Sequence, residues 1–196
     1  MITASLPDRL RAFVAIRLSA SSEETIADFI EELRTLRAGI RWTRRANLHL
    51  TIRFLGGDVP AAMVTALDAE LDRIASNTAP LTLRARGCGV FPNLSRPRVV
   101  WIDLQGEPLI QLATRVEQAA QACGFIAEDR GYVPHLTIGR VRDLHRWSLI
   151  RSILVASADR LFGASTIDSM ILYRSVLGPE SSTYEELARY PLTAKP

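Results

Sequence analysis

The spacing of apolar and polar positions divides the chain into short strands alternating with amphipathic helices. Arg11–Leu18 (RAFVAIRL) reads as a first strand. Ser21–Leu36 has helical spacing behind the capping candidates Ser21 and Ser22, with Glu23 and Glu24 following. A short extended piece is expected at Gly39–Thr43, then a strand at Leu48–Leu55 closed by Gly56-Gly57, then a helix from Pro60 to Ser76. Leu81–Val90 and Val99–Leu104 read as a strand pair around the turn-rich FPNLSRPR, and Glu107–Cys123 as a third helix ending at Gly124. The strand Tyr132–Val141, the helix Leu144–Ala156 and the strands Ser165–Leu177 and Tyr184–Tyr190 complete an α+β pattern without linkers or low-complexity segments.

One internal repeat stands out of this pattern: His49-Leu50-Thr51-Ile52 and His135-Leu136-Thr137-Ile138, which together use two of the three histidines. At ordinary residue frequencies a second histidine meets the same three followers roughly once in a few thousand tries. In a strand, residues i and i+2 share a face, so each histidine points the same way as its threonine while the leucine and isoleucine point the other way. The apolar side packs and the polar side is available for binding. Two imidazoles, titrating near pH 6.5, suit a reaction that needs a base on one side of a phosphate and an acid on the other. Hydroxyls one strand step along suit the non-bridging oxygens, whose charge must be held in the transition state.

Composition changes this picture little. The 196 residues make one ordinary domain or two small lobes, able to bury a core without staples. Cys88 and Cys123 stand apart with no Cys-x-x-Cys and no Cys/His cluster of zinc spacing, so they read as plain buried thiols, and neither metal nor cofactor is expected. No apolar run has the length of a membrane span or follows a basic start, so a cytoplasmic enzyme is expected. The net charge of +3 is small for this length; nearly all the positive charge is arginine, with Lys195 the single lysine, a bias that base composition also explains. The cluster Arg41, Arg44, Arg45 before the first tetrad either steers an RNA backbone or forms a solvated loop.

Extended to HLTIRFLGG and YVPHLTIGR, the tetrads resemble the paired His-x-Thr-x signatures of the 2H phosphoesterase superfamily, and within it the bacterial RNA 2′,3′-cyclic phosphodiesterases, historically called 2′-5′ RNA ligases. RAFVAIRL, RWTRRANLHLTIRFLG, GVFPNLSRPRVVWIDL and ILYRSVLGPESSTYEEL resemble that family in order along the chain. The resemblance implies a single bilobal unit over residues 1–196, with two pseudo-symmetric lobes whose antiparallel sheets line a central cleft. It implies metal-independent hydrolysis of an RNA-terminal 2′,3′-cyclic phosphate to a 2′-phosphate, with reversible 2′-5′ ligation as a side activity. Its carry-over makes His49 the acid at the leaving 3′ oxygen, His135 the activator of water, and Thr51 and Thr137 the holders of the phosphate.

Arg140, after the second signature, is a candidate phosphate or RNA ligand, although strict alternation turns it away from His135 unless a bulge intervenes. Arg53 departs from the family pattern; alternation sets it beside His49 and Thr51, either touching RNA or solvated at the strand end. Tyr132 and Phe91 either stack on a base or pack. Phe54 and Trp101 are expected in the core and His145 on the surface, while Trp42 and Trp147 are undecided. RNA with a cyclic phosphate end is the expected partner, a monomer without membrane association the expected state. A small cyclic nucleotide substrate and a non-enzymatic RNA-binding module are the competing readings.

Overall fold

Each expected helix and nearly every expected strand forms in the computed structural model, which describes residues 1–2, 5–178 and 182–194. The strands are β1 (Arg9–Ile16), β2 (Ile40–Trp42), β3 (Leu50–Pro60), β4 (Leu81–Phe91), β5 (Val99–Gln105), β6 (His135–Val141), β7 (Leu161–Ile167), β8 (Ser169–Val176) and β9 (Thr183–Pro191). The helices are α1 (Ala20–Arg34), α2 (Ala61–Ser76), α3 (Glu107–Ala122) and α4 (Trp147–Ala156).

Several boundaries differ from expectation, β6 starting at His135 rather than Tyr132 and α4 at Trp147 rather than Leu144 among them. The cap of α1 is Ser19, whose Oγ accepts from the Ser22 backbone N–H at 3.3 Å, rather than Ser21 or Ser22. Gly56-Gly57 does not end β3: Gly56, at φ +144°, absorbs an irregularity in the pairing with β1, and the strand continues to Pro60, which caps α2. The single strand expected over Ser165–Leu177 is two, β7 and β8, split at Asp168.

All pairings are antiparallel, in the order β7-β4-β5-β6-β3-β1-β8-β9, with β2 on the flank of β6. The order falls into two four-stranded lobes, β6-β5-β4-β7 and β3-β1-β8-β9, joined through one bridged pair, Leu50 opposite Leu136. Asp168 alone separates β7, at one end of the strand order, from β8, next to the other end. The chain weaves between lobes: α1 packs on β7 and α4 on β4, while α2 packs on β3 and β9.

Alternation along β1 shows why one face stays open. Leu10, Ala12, Val14 and Ile16 lie in the main core, whereas Phe13 and Ala15 join Ile171 and Tyr173 in a separate small cluster on the other face. Trp147, undecided in sequence, is core, its indole N–H donating to the Leu94 carbonyl at 3.0 Å. His145 is exposed as expected. Cys88 and Cys123 are half-buried free thiols; burial pushes Cys88 up to about 11, so it stays protonated and unreactive near neutral pH. Among the described residues no helix is long and apolar enough to cross a membrane.

Candidate active site

The two tetrads meet where the lobes join. Stepping one residue either way from Leu50 opposite Leu136 sets His49 across from Thr137 and Thr51 across from His135, so each histidine faces the threonine of the other half. Both tetrads then carry the same defect. On β3, Thr51 pairs with Ala15 but Arg53 with Val14, leaving Ile52 as an extra residue; on β6, Thr137 pairs with Trp101 but Gly139 with Val100, leaving Ile138 extra. Each is a bulge that puts two successive residues under the sheet, Ile52 with Arg53 and Ile138 with Gly139, all four buried. The next residue therefore returns to the cleft side: Phe54 in the first half and Arg140 in the second.

The defects are tied down alike. The Thr137 carbonyl accepts from the Thr43 hydroxyl at 3.1 Å and the Ile138 carbonyl from the Thr43 N–H at 2.9 Å. In the other half the Thr51 carbonyl accepts from the Tyr132 hydroxyl at 3.2 Å. The segment preceding each histidine thus braces the opposite half's tetrad.

The imidazoles are held identically. His49 Nδ1 lies 2.8 Å from the Asn47 carbonyl and His135 Nδ1 lies 2.8 Å from the Val133 carbonyl. A carbonyl only accepts, so Nδ1 carries a proton in both rings and Nε2 is left as the exchangeable position. His49 is further packed by Phe13, at 4.9 Å between ring centroids, and by the edge of Tyr184 at 5.1 Å; His135 takes an edge contact from Phe91 at 5.0 Å. Burial holds the His49 imidazole below its usual value of 6.5; the Asn47 carbonyl opposes this, and the charges of Arg17, Arg140 and His135 add to it.

Both tetrads open into one cavity of about 630 Å³. Its lining holds His49, His135, Thr51, Thr137 and the four arginines 11, 41, 44 and 140, and among the described residues no carboxylate. A wall of that composition is built for an anion. A second cavity of similar volume, between the far half of β3 and residues 124–130, has no histidine and is lined by Asp58, Glu128 and Asp129. Among the described residues no three of His, Cys, Asp or Glu cluster as metal ligands.

The halves that geometry relates also match a known family twice over. The profile described as LigT like Phosphoesterase covers residues 16–101 and again 102–182. The chain belongs to the LigT-like phosphoesterase family. An RNA 2′,3′-cyclic phosphodiesterase of Aquifex aeolicus is 31% identical over 183 residues, covering 90% of this chain and 96% of the relative. One of Methanocaldococcus jannaschii is 29% identical over 181 residues, 92% of this chain and all of the relative. The crystal structure of E. coli LigT in apo form superposes with a TM-score of 0.77 at 29% identity, over 96% of this chain and 100% of LigT; that protein has also been solved with 3′-AMP and with phosphate.

In this LigT-like phosphoesterase the bulges decide which of the candidate side chains face the cavity. Arg140 needed one to reach the cleft, and β6 supplies it. Arg53 was placed beside His49 by alternation; the β3 bulge buries it instead, 5% exposed, against Glu117 and Glu128, and it does not line the histidine cavity. Tyr132 does not line the cavity either: it packs half-buried against the main core and braces Thr51, and burial drives its hydroxyl well above the usual phenol range. Phe54 and Trp42 line the cavity. Trp101 is half-buried, stacked on Phe91 at 5.0 Å over Gly89, where any Cβ would strike its ring. Of the arginine cluster, Arg41 and Arg44 line the cavity, while Arg45 turns to the Ala20 carbonyl and Glu24. Sequence reasoning missed Arg11, Phe13, Asn47 and Tyr184, which reach the site from β1, the turn before β3 and the start of β9. Only the step of two between Arg11 and Phe13 on a strand hints at a shared face.

Proposed function

We propose that this protein hydrolyses the 2′,3′-cyclic phosphate at an RNA end to a 2′-phosphate, without a metal ion, using His49 and His135. The observation that supports the reading most directly is the pair of imidazoles, each fixed at Nδ1 by a carbonyl, in one cavity lined by four arginines and, among the described residues, by no carboxylate. Water attacks phosphorus while one Nε2 takes its proton; the bond from phosphorus to the 3′ oxygen breaks, and the other imidazolium protonates that oxygen. Thr51 and Thr137 donate hydrogen bonds to the non-bridging oxygens, and Arg140 adds positive charge from the lip. With an RNA 5′-hydroxyl in place of water, the same steps form a 2′-5′ phosphodiester, so ligation is available as a side reaction. The relatives named RNA 2′,3′-cyclic phosphodiesterase support the substrate.

The test is purified protein in EDTA with a short RNA ending in a 2′,3′-cyclic phosphate. Quantitative appearance of the 2′-phosphate is expected; opening only after a divalent ion is restored would overturn the metal-independent mechanism.

The environment of His49 adds a pH prediction. With His49 as the acid, the active form is the imidazolium, and in the free enzyme burial makes that form rarer than for an ordinary histidine. As pH rises, kcat/KM is therefore expected to decline from a point below 6.5. The bound phosphate anion favours the imidazolium, so the corresponding decline in kcat falls at higher pH. Parallel pH profiles of the two parameters check this. A His49-dependent loss of kcat/KM on the acid side instead would make His49 the base.

A further inference from the structure

We infer that the cleft carries a second anion seat, built on Arg11 and Phe54, for the phosphodiester one nucleotide inward from the RNA end. The inference rests on the phosphodiesterase reading of the site and narrows its substrate to an oligonucleotide end rather than a free cyclic mononucleotide.

The pseudo-symmetry of the bulges points to it. Counting from each histidine, Phe54 occupies in the first half the position that Arg140 occupies in the second, so bulge geometry alone delivers a cation to only one lip. The opposite lip receives its cation from the neighbouring strand. Arg11 of β1 lays its guanidinium over the Phe54 ring, 4.5 Å from the centroid, and both line the cavity with Ser175. The guanidinium lies against Gly57, where an added Cβ would sit 3.3 Å from Nη1, so the bare glycine backbone leaves it room.

Charge accounting separates Arg11 from its neighbours. Arg9 is bound to Asp58 at 2.8 Å and Arg17 to Glu23 at 2.7 Å. Among the described residues Arg11 has no ion-pair partner, and neither does Arg140. An arginine held by an aromatic face, with no carboxylate partner and no carboxylate on the cavity wall among the described residues, keeps its planar donors for an incoming phosphate.

Spacing fits a second phosphate rather than the reacting one. Ala15 pairs with Thr51, and Arg11 lies four residues further along β1, roughly 13 Å at the rise of a strand. The guanidinium over the Phe54 ring thus stands apart from the seat between the histidines, where a second phosphate of an RNA chain can lie. A mononucleoside cyclic phosphate, filling the seat between the histidines, presents nothing there.

The experiment compares a mononucleoside 2′,3′-cyclic phosphate with a di- and a tetranucleotide ending in the same group, using the full-length wild-type, R11Q and R11K proteins. For the wild type, kcat/KM should rise from the mononucleotide to the dinucleotide. In R11Q the dinucleotide should lose about 10-fold or more, the worth of a charged hydrogen bond, and the mononucleotide several-fold less. The salt slope of oligonucleotide binding should shrink by about 0.7, one phosphate contact on a single strand. R11K, which keeps the charge, should recover part of the loss and guards against a folding defect in R11Q. Equal losses on all substrates, or none, would overturn the second seat. Absence of wild-type turnover on every substrate would instead overturn the phosphodiesterase reading itself.

Discussion

Replacing either His49 or His135 by alanine is expected to lower kcat on a cyclic-phosphate RNA end by about 10²- to 10⁴-fold, the usual worth of a positioned acid or base. KM should change far less, because Thr51, Thr137 and Arg140 remain to hold the phosphate. The fold should survive: both rings are half-buried and each makes one hydrogen bond to a backbone carbonyl, a loss of about 1 kcal/mol. Since the imidazoles act as a unit, the double variant should be little worse than the weaker single one. Steady-state kinetics with circular dichroism of the same samples decides the matter. A single variant within a few-fold of wild-type kcat would remove that histidine from the chemistry.

The tetrads were legible in sequence because a strand has a period of two and the repeat preserves it across four residues. Legibility stopped at the isoleucine of each tetrad. A bulge is a property of two paired strands, and no feature of TIRFL or TIGRV alone announces an extra residue opposite Val14 or Val100. One such residue reverses the face of everything after it. The same uncertainty thus misplaced Arg53 and left Arg140 conditional. The lobes were implied by resemblance, whereas the crossing at Asp168 was hidden within Ser165–Leu177, STIDSMILYRSVL, which has no glycine or proline to mark a break and reads as one strand. The aromatic packing of His49 comes from β1 and the start of β9, contacts at long sequence separation that composition cannot assign.

Arg53 shows what the bulge demands in return. Turned under the sheet, its guanidinium donates to the Phe54 carbonyl at 2.7 Å, to Glu128 Oε1 at 2.6 Å and to the Ile126 carbonyl. Its Nε lies 2.5 Å from Glu117 Oε2, an ion pair whose angle does not make a hydrogen bond. Glu117 in turn accepts from the Glu128 N–H at 3.1 Å. One buried cation therefore fastens α3 and the segment leading to His135 onto the strand that follows His49. The matching position in the other half is Gly139, where a Cβ would strike Ile40 and Trp42, so the halves fill the same pocket by opposite means. Substituting Arg53 by methionine keeps the volume but strands the carbonyls of Phe54 and Ile126 and removes the counterion of two carboxylates. Breaking a buried pair costs about 3–5 kcal/mol, and the lower end applies because Glu128 is half-exposed and can turn to water. For a chain of this size, a loss of about 3 kcal/mol lowers Tm by roughly 6–12 °C. R53K should recover little, since an ammonium cannot span acceptors on three segments. E128Q should cost well under R53M, because the more exposed partner contributes least. Calorimetry on the three variants tests the ranking; an R53M protein melting within two or three degrees of the wild type would show that packing around the bulge, not the arginine, holds the two halves in place.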